Sequence, residues 1–418
     1  MKYYLLIFLL SIMLAGCSQN TESKTEVKVT STATDKIEKP NKKKQTQETP
    51  MPVSKLDIEN YNLDYKKKTD DQSFFSWNCV AKTENGYYLW GKGVEYFNYL
   101  MFFDLKTQKT VPVCNLPNCN HLDNSCNAYY PLGESDMGFI CKSGLWYYED
   151  YIYMIGYDAE DYLSLYRTKL DGSSREKYMQ LYRADTTSQG VIGSGESKQY
   201  TTPEVMIHRG YVYYINREEK NPKLRRIKLG GKQTEILYET NNIVYKTDGD
   251  KTELSYVRGY GDFVFFQRTS VFEEEYRELE GLYAYNTQTA EITFVSNSIN
   301  RDFDIFENEI YYSTGEELCK FSIQTQKEEK IMDYPQGITN FSVDANYITI
   351  HSSKDEKIRI YDRKLNLIYE SNEEANIDEN YKGDENFLFA QFEGEKGRIR
   401  RLDKSKLKDN KAKWEVMY

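Results

Sequence analysis

A short aromatic run recurs seven times along this chain, each time just after a turn built on Gly, Asn or Asp. It reads Gly86-Tyr-Tyr-Leu-Trp90, Asp150-Tyr-Ile-Tyr-Met154, Gly210-Tyr-Val-Tyr-Tyr214 and Asp262-Phe-Val-Phe-Phe266. It returns as Asn308-Glu-Ile-Tyr-Tyr312, Asn346-Tyr-Ile-Thr-Ile350 and Asn386-Phe-Leu-Phe-Ala390. Aromatic and β-branched residues bounded by turn formers read as strands. The starts, at 86, 150, 210, 262, 308, 346 and 386, are unevenly spaced. Insertions of different length in the loops of a constant core produce that irregularity.

Each run is followed by a second element. Leu165-Tyr-Arg-Thr-Lys-Leu-Asp-Gly172 aligns with Leu224-Arg-Arg-Ile-Lys-Leu-Gly-Gly231, and Leu282-Tyr-Ala-Tyr-Asn-Thr-Gln-Thr289 with Leu318-Cys-Lys-Phe-Ser-Ile-Gln-Thr325. Segments starting at Leu100, Ile358 and Ile399 complete the set. A polar turn and another short strand follow, as at Thr234–Tyr238, and a further strand precedes each run, as at Val205–His208 and Phe303–Phe306. Four short antiparallel strands repeated seven times predict an all-β fold, a β-propeller of about seven four-stranded blades. Two β-sandwiches would not need one motif in one order throughout, and no long stretch has the 3.6-residue apolar period of a helix. The 38 Tyr and 19 Phe, against 9 Pro, fit the strand assignment.

The segment Leu165-Tyr-Arg-Thr-Lys-Leu-Asp-Gly-Ser-Ser-Arg175 resembles a blade of the YWTD propellers of low-density-lipoprotein receptors. It is closer still to a bacterial family of unknown function named for that likeness and common in lipoproteins. The second and third repeats match well; the others keep the strand pattern and lose Leu-Asp-Gly. The resemblance implies the propeller fold and transfers no catalytic residue. Ring closure has two solutions at this point: no strand exchange, or a strand from Ile58–Tyr65 added to the last blade, the arrangement favoured here because a strand clasp limits unzipping.

The N-terminus carries a different signal. Lys2 precedes an apolar run from Tyr3 to Leu14, too short to span a bilayer, so residues 1–16 read as an export signal. Leu14-Ala15-Gly16-Cys17 resembles the lipobox of bacterial lipoproteins. The resemblance implies cleavage before Cys17 and a diacylglyceryl lipid on its sulfur, two chains being enough for stable anchoring. Residues 17–55 are rich in Lys, Thr, Glu, Ser and Pro and cannot bury enough surface to offset their ordering entropy, so they read as a disordered tether. The propeller is assigned to residues 56–418, on the extracytoplasmic side of the cell membrane.

Three cysteines and one of only three histidines fall together in Cys114-Asn-Leu-Pro-Asn-Cys119-Asn-His121-Leu-Asp-Asn-Ser-Cys126. Cys114, Cys119, His121 and Cys126 make a tetrahedral zinc set, and Pro117 and the Asn residues suit the tight turns that converge four ligands. The site would be structural, because four protein ligands leave no open position. Exported proteins also pair close cysteines: Cys114 or Cys119 bridged to Cys126, with Cys141 joining the remaining one, would leave His121 a bystander, and free thiols are the third option. The cluster is placed in an insertion over 114–144 between the first two repeats. Cys79 and Cys319 read as small buried apolar residues, and His208 and His351 as satisfied or surface histidines.

A net charge of −10 with interspersed signs argues against a nucleic-acid partner. The chain holds no Gly-x-Ser-x-Gly elbow, phosphate loop or His-Glu-x-x-His helix. Two functions stand. The first is a binding or scaffold module for an envelope protein, peptide or glycan, using insertions such as Asp185–Pro203, Thr240–Glu253 and Arg268–Glu280. The second is a glycan hydrolase or lyase with carboxylates in the propeller funnel. No catalytic residue and no catalytic cofactor is assigned. Replacing the lipid-bearing sulfur, Cys17→Ser, is expected to release the protein from the membrane or stall its processing; unchanged membrane fractionation would refute the anchor.

Overall fold

The structure is a computed structural model. It describes residues 80–417 except 93–96, 122–124, 132–136, 140–143, 159, 185–203, 218, 220, 240–250, 273–276, 300–302, 353, 372–381, 392–398 and 410. The signal sequence, Cys17, the tether, Cys79, Cys141 and the segment Ile58–Tyr65 lie outside the described residues.

The seven aromatic runs are the second strands of seven antiparallel sheets. Blade 1 is β1 (Val80–Lys82), β2 (Gly86–Lys92), β3 (Phe97–Asp104) and β4 (Lys109–Pro112), with β5 (Tyr129–Pro131) also pairing β3. Blade 2 is β6 (Met137–Phe139) and β7 (Leu145–Tyr148), both against β8 (Tyr151–Asp158), then β9 (Tyr162–Lys169) and β10 (Arg175–Arg183). Blade 3 runs β11 (Glu204–His208), β12 (Tyr211–Ile215), β13 (Lys223–Lys228) and β14 (Thr234–Glu239); blade 4 runs β15 (Lys251–Tyr260), β16 (Phe263–Phe272), β17 (Arg277–Asn286) and β18 (Ile292–Ser296). Blade 5 holds β19 (Phe303–Phe306), β20 (Glu309–Ser313), β21 (Glu317–Ser322) and β22 (Lys327–Asp333). Blade 6 holds β23 (Ile338–Val343), β24 (Tyr347–Ser352), β25 (Ile358–Asp362) and β26 (Leu367–Glu370). Blade 7 holds β27 (Lys382–Gly383), β28 (Phe387–Gln391), β29 (Ile399–Asp403) and β30 (Trp414–Val416). First strands of neighbouring blades approach one another, as β11 does β15 and β19 does β23, which sets them at the axis of a seven-bladed propeller.

Local chemistry explains the motif. A two-residue hairpin between first and second strands matches strand twist when both central residues have φ > 0, and Glu149-Asp150, Arg209-Gly210 and Glu307-Asn308 adopt that conformation. In blades 6 and 7 the side chains of Asp344 and Asp384 instead accept from the amides of Asn346 and Tyr347 and of Asn386 and Phe387. In the turn after the third strand, a side-chain oxygen caps the next amides: Asp104 accepts from Lys106 and Thr107 at 2.7 and 3.0 Å, and Asn286 accepts from Gln288 and Thr289 at 2.8 and 3.1 Å. The Tyr-Arg phrase has its own reason. Arg167 faces Glu176 across the third and fourth strands at 2.6 Å, and the pair returns as Arg226–Glu235 (2.9 Å), Lys320–Glu329 (3.3 Å) and Arg401–Glu415 (3.0 Å). Such opposed charges contribute only about 0.2–1 kcal/mol each, so they fix register more than they stabilise.

The core lies between blades. Each of seven buried clusters draws on two adjacent sheets: Trp146, Ile155 and Leu165 of blade 2 pack on Val205, Val212 and Tyr214 of blade 3, and Phe265 and Leu282 of blade 4 on Phe303 and Ile310 of blade 5. Tyrosine serves this arrangement because its ring packs while its hydroxyl reaches the neighbouring blade. Tyr88 donates to the Leu170 carbonyl at 2.8 Å, Tyr87 to Asp384 at 2.5 Å, and Tyr260 accepts the Asn308 amide at 3.3 Å. Near the axis, buried Arg258 of β15 donates to Asp304 of β19 at 3.0 Å, whose other oxygen accepts the Val343 amide of β23 at 2.8 Å, linking three blades.

Among the described residues blade 7 takes four strands from 382–416, while Ile58–Tyr65, the segment expected to add a strand, lies outside them. One expectation changes. Much of Arg268–Glu280, read as a loop, is strand: β16 and β17 pair without a register break from Phe263↔Asn286 to Phe272↔Arg277. Of Thr240–Glu253, 251–253 belong to β15 and 240–250 lie outside the described residues, as does 185–203.

At the closing seam, Lys82 lies 2.9 Å from Asp384, which also accepts from Tyr87 and the Phe387 amide. Burial acts to raise the Asp384 carboxyl, but Lys82, Tyr87 and that amide outweigh it and hold it below the ordinary carboxylate range. A depressed folded pKa stabilises fully above the ordinary value of about 4 and loses its contribution as pH falls through the lower folded value. Asp384→Asn is therefore expected to cost about 2 kcal/mol at pH 7 and to flatten the acid side of the stability curve. Melting curves of variant and parent that stay parallel from neutral to acid pH would contradict this.

Candidate functional site

The Cys/His segment is an excursion within the outer edge of blade 1. β4 pairs the second half of β3, through Met101↔Pro112, and β5 pairs the first half, through Tyr99↔Tyr129. Leu100 spans the gap: its carbonyl accepts the Val113 amide and its amide donates to the Ala128 carbonyl, both at 2.8 Å. The chain thus leaves β3 at Val113 and returns at Ala128. The expected insertion over 114–144 is shorter than that reading, since 129–131 already belong to the sheet.

Within the excursion, one ligand atom each from Cys114, Cys119, His121 and Cys126 lies within 4.8 Å of all the others. His121 Nδ1 is 3.2 Å from Cys126 Sγ, and Asn118 and His121 turn the chain with φ of 60° and 57°. Cys126 is buried and the other three are half-buried. No disulfide joins the three cysteines in this structure. Burial pushes the Cys126 thiol up to about 12, with the neighbouring sulfurs adding to the effect. Cys114 moves the other way: burial opposes the shift, and the Leu116 and Asn127 amides pointing at its sulfur overcome it. The four residues can hold a metal ion.

The remaining sequence candidates have structural surroundings. Cys319 is buried in the cluster between blades 4 and 5. His208 is fully buried and its Nε2 donates to the Gly261 carbonyl of the next blade at 2.8 Å. His351 is buried in β24. Glu204, at the start of β11, was not singled out by the sequence; burial pushes its carboxyl up, against Arg217 3.7 Å away. Arg217 also lies 3.9 Å from Glu253.

A second feature escaped the sequence. On the face bearing the first-to-second and third-to-fourth strand turns, a recess of about 540 Å³ opens between blades 6, 7 and 1. Tyr347 and Phe387 are buried in its wall, while Asn346, Asn386, Gln108 and Lys408 are exposed around it. Lys404, almost fully buried behind it, donates to Asp344 of blade 6 at 2.5 Å and to the Asp384 carbonyl at 2.8 Å. Asp403 accepts from the Ser405 amide and hydroxyl at 3.0 and 2.6 Å; burial acts to raise its carboxyl, but these bonds and Lys406 hold it below the ordinary range. The signal in the sequence is Asp403-Lys-Ser-Lys406, standing where five of the other six repeats carry a Gly or Thr turn.

The fold and both sites define a seven-bladed β-propeller of four-stranded blades. No family model and no curated protein matches the chain. Among solved structures, a prolyl endopeptidase is similar over 84% of this chain and 50% of its own, at a TM-score of 0.50 and 10% identity. Prolyl oligopeptidase B from Galerina marginata is similar over 87% and 53%, at 0.49 and 12%, and a chain of a nidogen/laminin complex over 68% and 92%, at 0.35 and 8%. The chain spans about half the length of the two peptidases. At such identity the likeness to the endopeptidase is one of fold.

The Leu170-Asp171-Gly172 turn of blade 2 abuts the start of the Cys/His excursion. Gly172 has φ 75°, and a Cβ there would overlap the Val113 carbonyl. Gly172→Ala is expected to lower stability by about 1–3 kcal/mol, measured by denaturant unfolding; an unchanged midpoint would show that the turn and the excursion do not need this close approach.

Proposed function

We propose that this propeller is a lipid-anchored docking module on the extracytoplasmic face of the cell membrane, binding an envelope protein, peptide or glycan. The recess between blades 6, 7 and 1 carries the reading. Its exposed amides and Lys408 offer donors and acceptors in a recess walled by buried aromatic rings, a surface suited to hydrogen-bonding a peptide or a sugar. Asp403 is committed to Ser405 and Lys406 and held ionised, which unfits it to give a proton as a glycosidase acid must. The lipid on Cys17 and the tether over 17–55 would hold this surface in the envelope, close to its partners.

A hydrolase or lyase acting on glycans is the second reading, and Glu204 is the observation that favours it, since a carboxyl raised by burial can act as a general acid. Its neighbour is a guanidinium that also approaches Glu253, and such an arrangement fits an ion-pair network. A photoreactive phenylalanine analogue at Asn386, in intact cells, is expected to capture a discrete partner that the same group at exposed Lys232 of blade 3 does not. Equal capture at both positions would refute the recess as the docking site. Turnover of an envelope glycan that Glu204→Gln abolishes would replace this reading with the enzymatic one.

A further inference from the structure

The cysteine excursion occupies a particular place in the ring. Strand alternation sends successive residues of its two legs to opposite faces of blade 1. Val113 and Tyr130 belong to the cluster shared with blade 2, whereas Cys114 and Tyr129 belong to the cluster shared with blade 7. Cys119 and Cys126 join the second of these, together with Phe387, Phe389, Ile399 and Met417 of blade 7. The sulfur-bearing face therefore looks onto the seam where the first and last blades meet. That seam has no exchanged strand among the described residues. Besides the packed cluster it has the Lys82–Asp384 pair, the Tyr87 hydroxyl, and Arg401, which donates to Gln108 at 2.8 Å over the Phe103 ring.

The donor set fits one kind of ligand. Bonds of about 2.3 Å to sulfur and 2.0 Å to nitrogen place tetrahedral ligand atoms roughly 3.5–3.8 Å apart. The observed spread of up to 4.8 Å, with His121 Nδ1 already 3.2 Å from Cys126 Sγ, needs only side-chain adjustment to reach that geometry. Amides of Leu116 and Asn127 point at Cys114 and that of Ala128 at Cys126, supplying the outer hydrogen bonds that thiolate ligands require. Three sulfurs and one imidazole select zinc over magnesium or calcium, which take oxygen ligands. A disulfide within the cluster would give no role to His121, whose Nδ1 lies 3.2 Å from Cys126 Sγ.

We propose that Cys114, Cys119, His121 and Cys126 bind one structural zinc ion, and that this ion clasps the seam at which the propeller ring closes. It would act there as an exchanged strand acts in a ring closed that way. With the ion bound, the excursion is a fixed plug against Phe387, Ile399 and Met417. With the ion removed, the connection loses the crosslink between its four ligands and keeps weaker ties such as the Asn127 to Asn115 hydrogen bond at 2.7 Å.

The full chain, purified under reducing conditions without chelators, is expected to contain one zinc per molecule. Cobalt titrated into the metal-stripped chain should give the strong visible bands of a tetrahedral site and a thiolate charge-transfer band. Cys119→Ser and His121→Ala should weaken or abolish both, while Cys319→Ala keeps them. Absence of metal with no cobalt spectrum, or loss of free thiols among Cys114, Cys119 and Cys126, overturns the site. Withdrawing the metal should speed amide hydrogen exchange about tenfold in β1, β28 and β29, with β11–β14 unchanged. Acceleration confined to 114–126, or equal in every blade, overturns the clasp.

Discussion

Blade-on-blade packing is the interaction on which everything else rests. A four-stranded sheet of this sequence is apolar on both faces, and each face is covered only by its neighbour: Trp146 by Val205 and Val212, Phe303 by Phe265, Leu388 by Ile358 and Ile360. No blade has a private core. Removing one uncovers two faces, so the energy that holds a sheet flat is the same energy that holds the ring shut. The polar atoms follow the same rule. Tyr87, Tyr88 and Arg258 each take a partner from the next blade, so a shift of one sheet against another would break packing and hydrogen bonds together.

How much of this was legible depended on whether a feature was local in the chain. The second and third strands of every blade can be read directly, because alternating aromatics and, in most blades, a turn capped by Asp, Asn or Ser are written in consecutive residues. The facing pairs Arg167–Glu176, Arg226–Glu235 and Lys320–Glu329 were hidden by the turn between them, and in the last blade the turn lengthens to place Arg401 opposite Glu415. The hairpin of β16 and β17 was mistaken for a loop because Arg268–Glu280 is charged on an extended part of the sheet rather than aromatic. The four metal-type residues were found by type and spacing alone. Their position inside the outer edge of blade 1 was not visible, since nothing in the sequence announces that Tyr129 resumes the pairing Pro112 leaves off. The recess was out of reach altogether: Gln108, Asn346 and Asn386 meet only because the ring brings blade 1 back to blades 6 and 7.

The two features most relevant to function sit on either side of one seam. The recess uses blades 6, 7 and 1, and the cysteine excursion packs into the cluster between blades 7 and 1. Lys404 and Asp384 stand between them, Lys404 bonded to Asp344 and to the Asp384 carbonyl, Asp384 to Lys82 and Tyr87. A closure that is tight at the axis and clamped at the rim would hold the recess in one shape, and a docking site that is already shaped loses less entropy when its partner arrives.

The rim itself has one more property. Among the described residues no further strand pairs outside the fourth strand of a blade, and an open edge is the geometry through which sheets of separate molecules add to one another. Two of these strands carry dense charge, Lys327-Glu-Glu-Lys330 in β22 and Arg175-Glu-Lys177 in β10. Blade 1 has Thr110-Val-Pro112 and Tyr129-Tyr-Pro131 in that position, apolar sequences that would make an inviting template if they ran on as one strand. The excursion at Cys114–Cys126 cuts them into two pieces of three or four residues, each ending in a proline. The interruption that builds the cysteine site also keeps this edge from presenting one long unbroken template to a second copy of the protein.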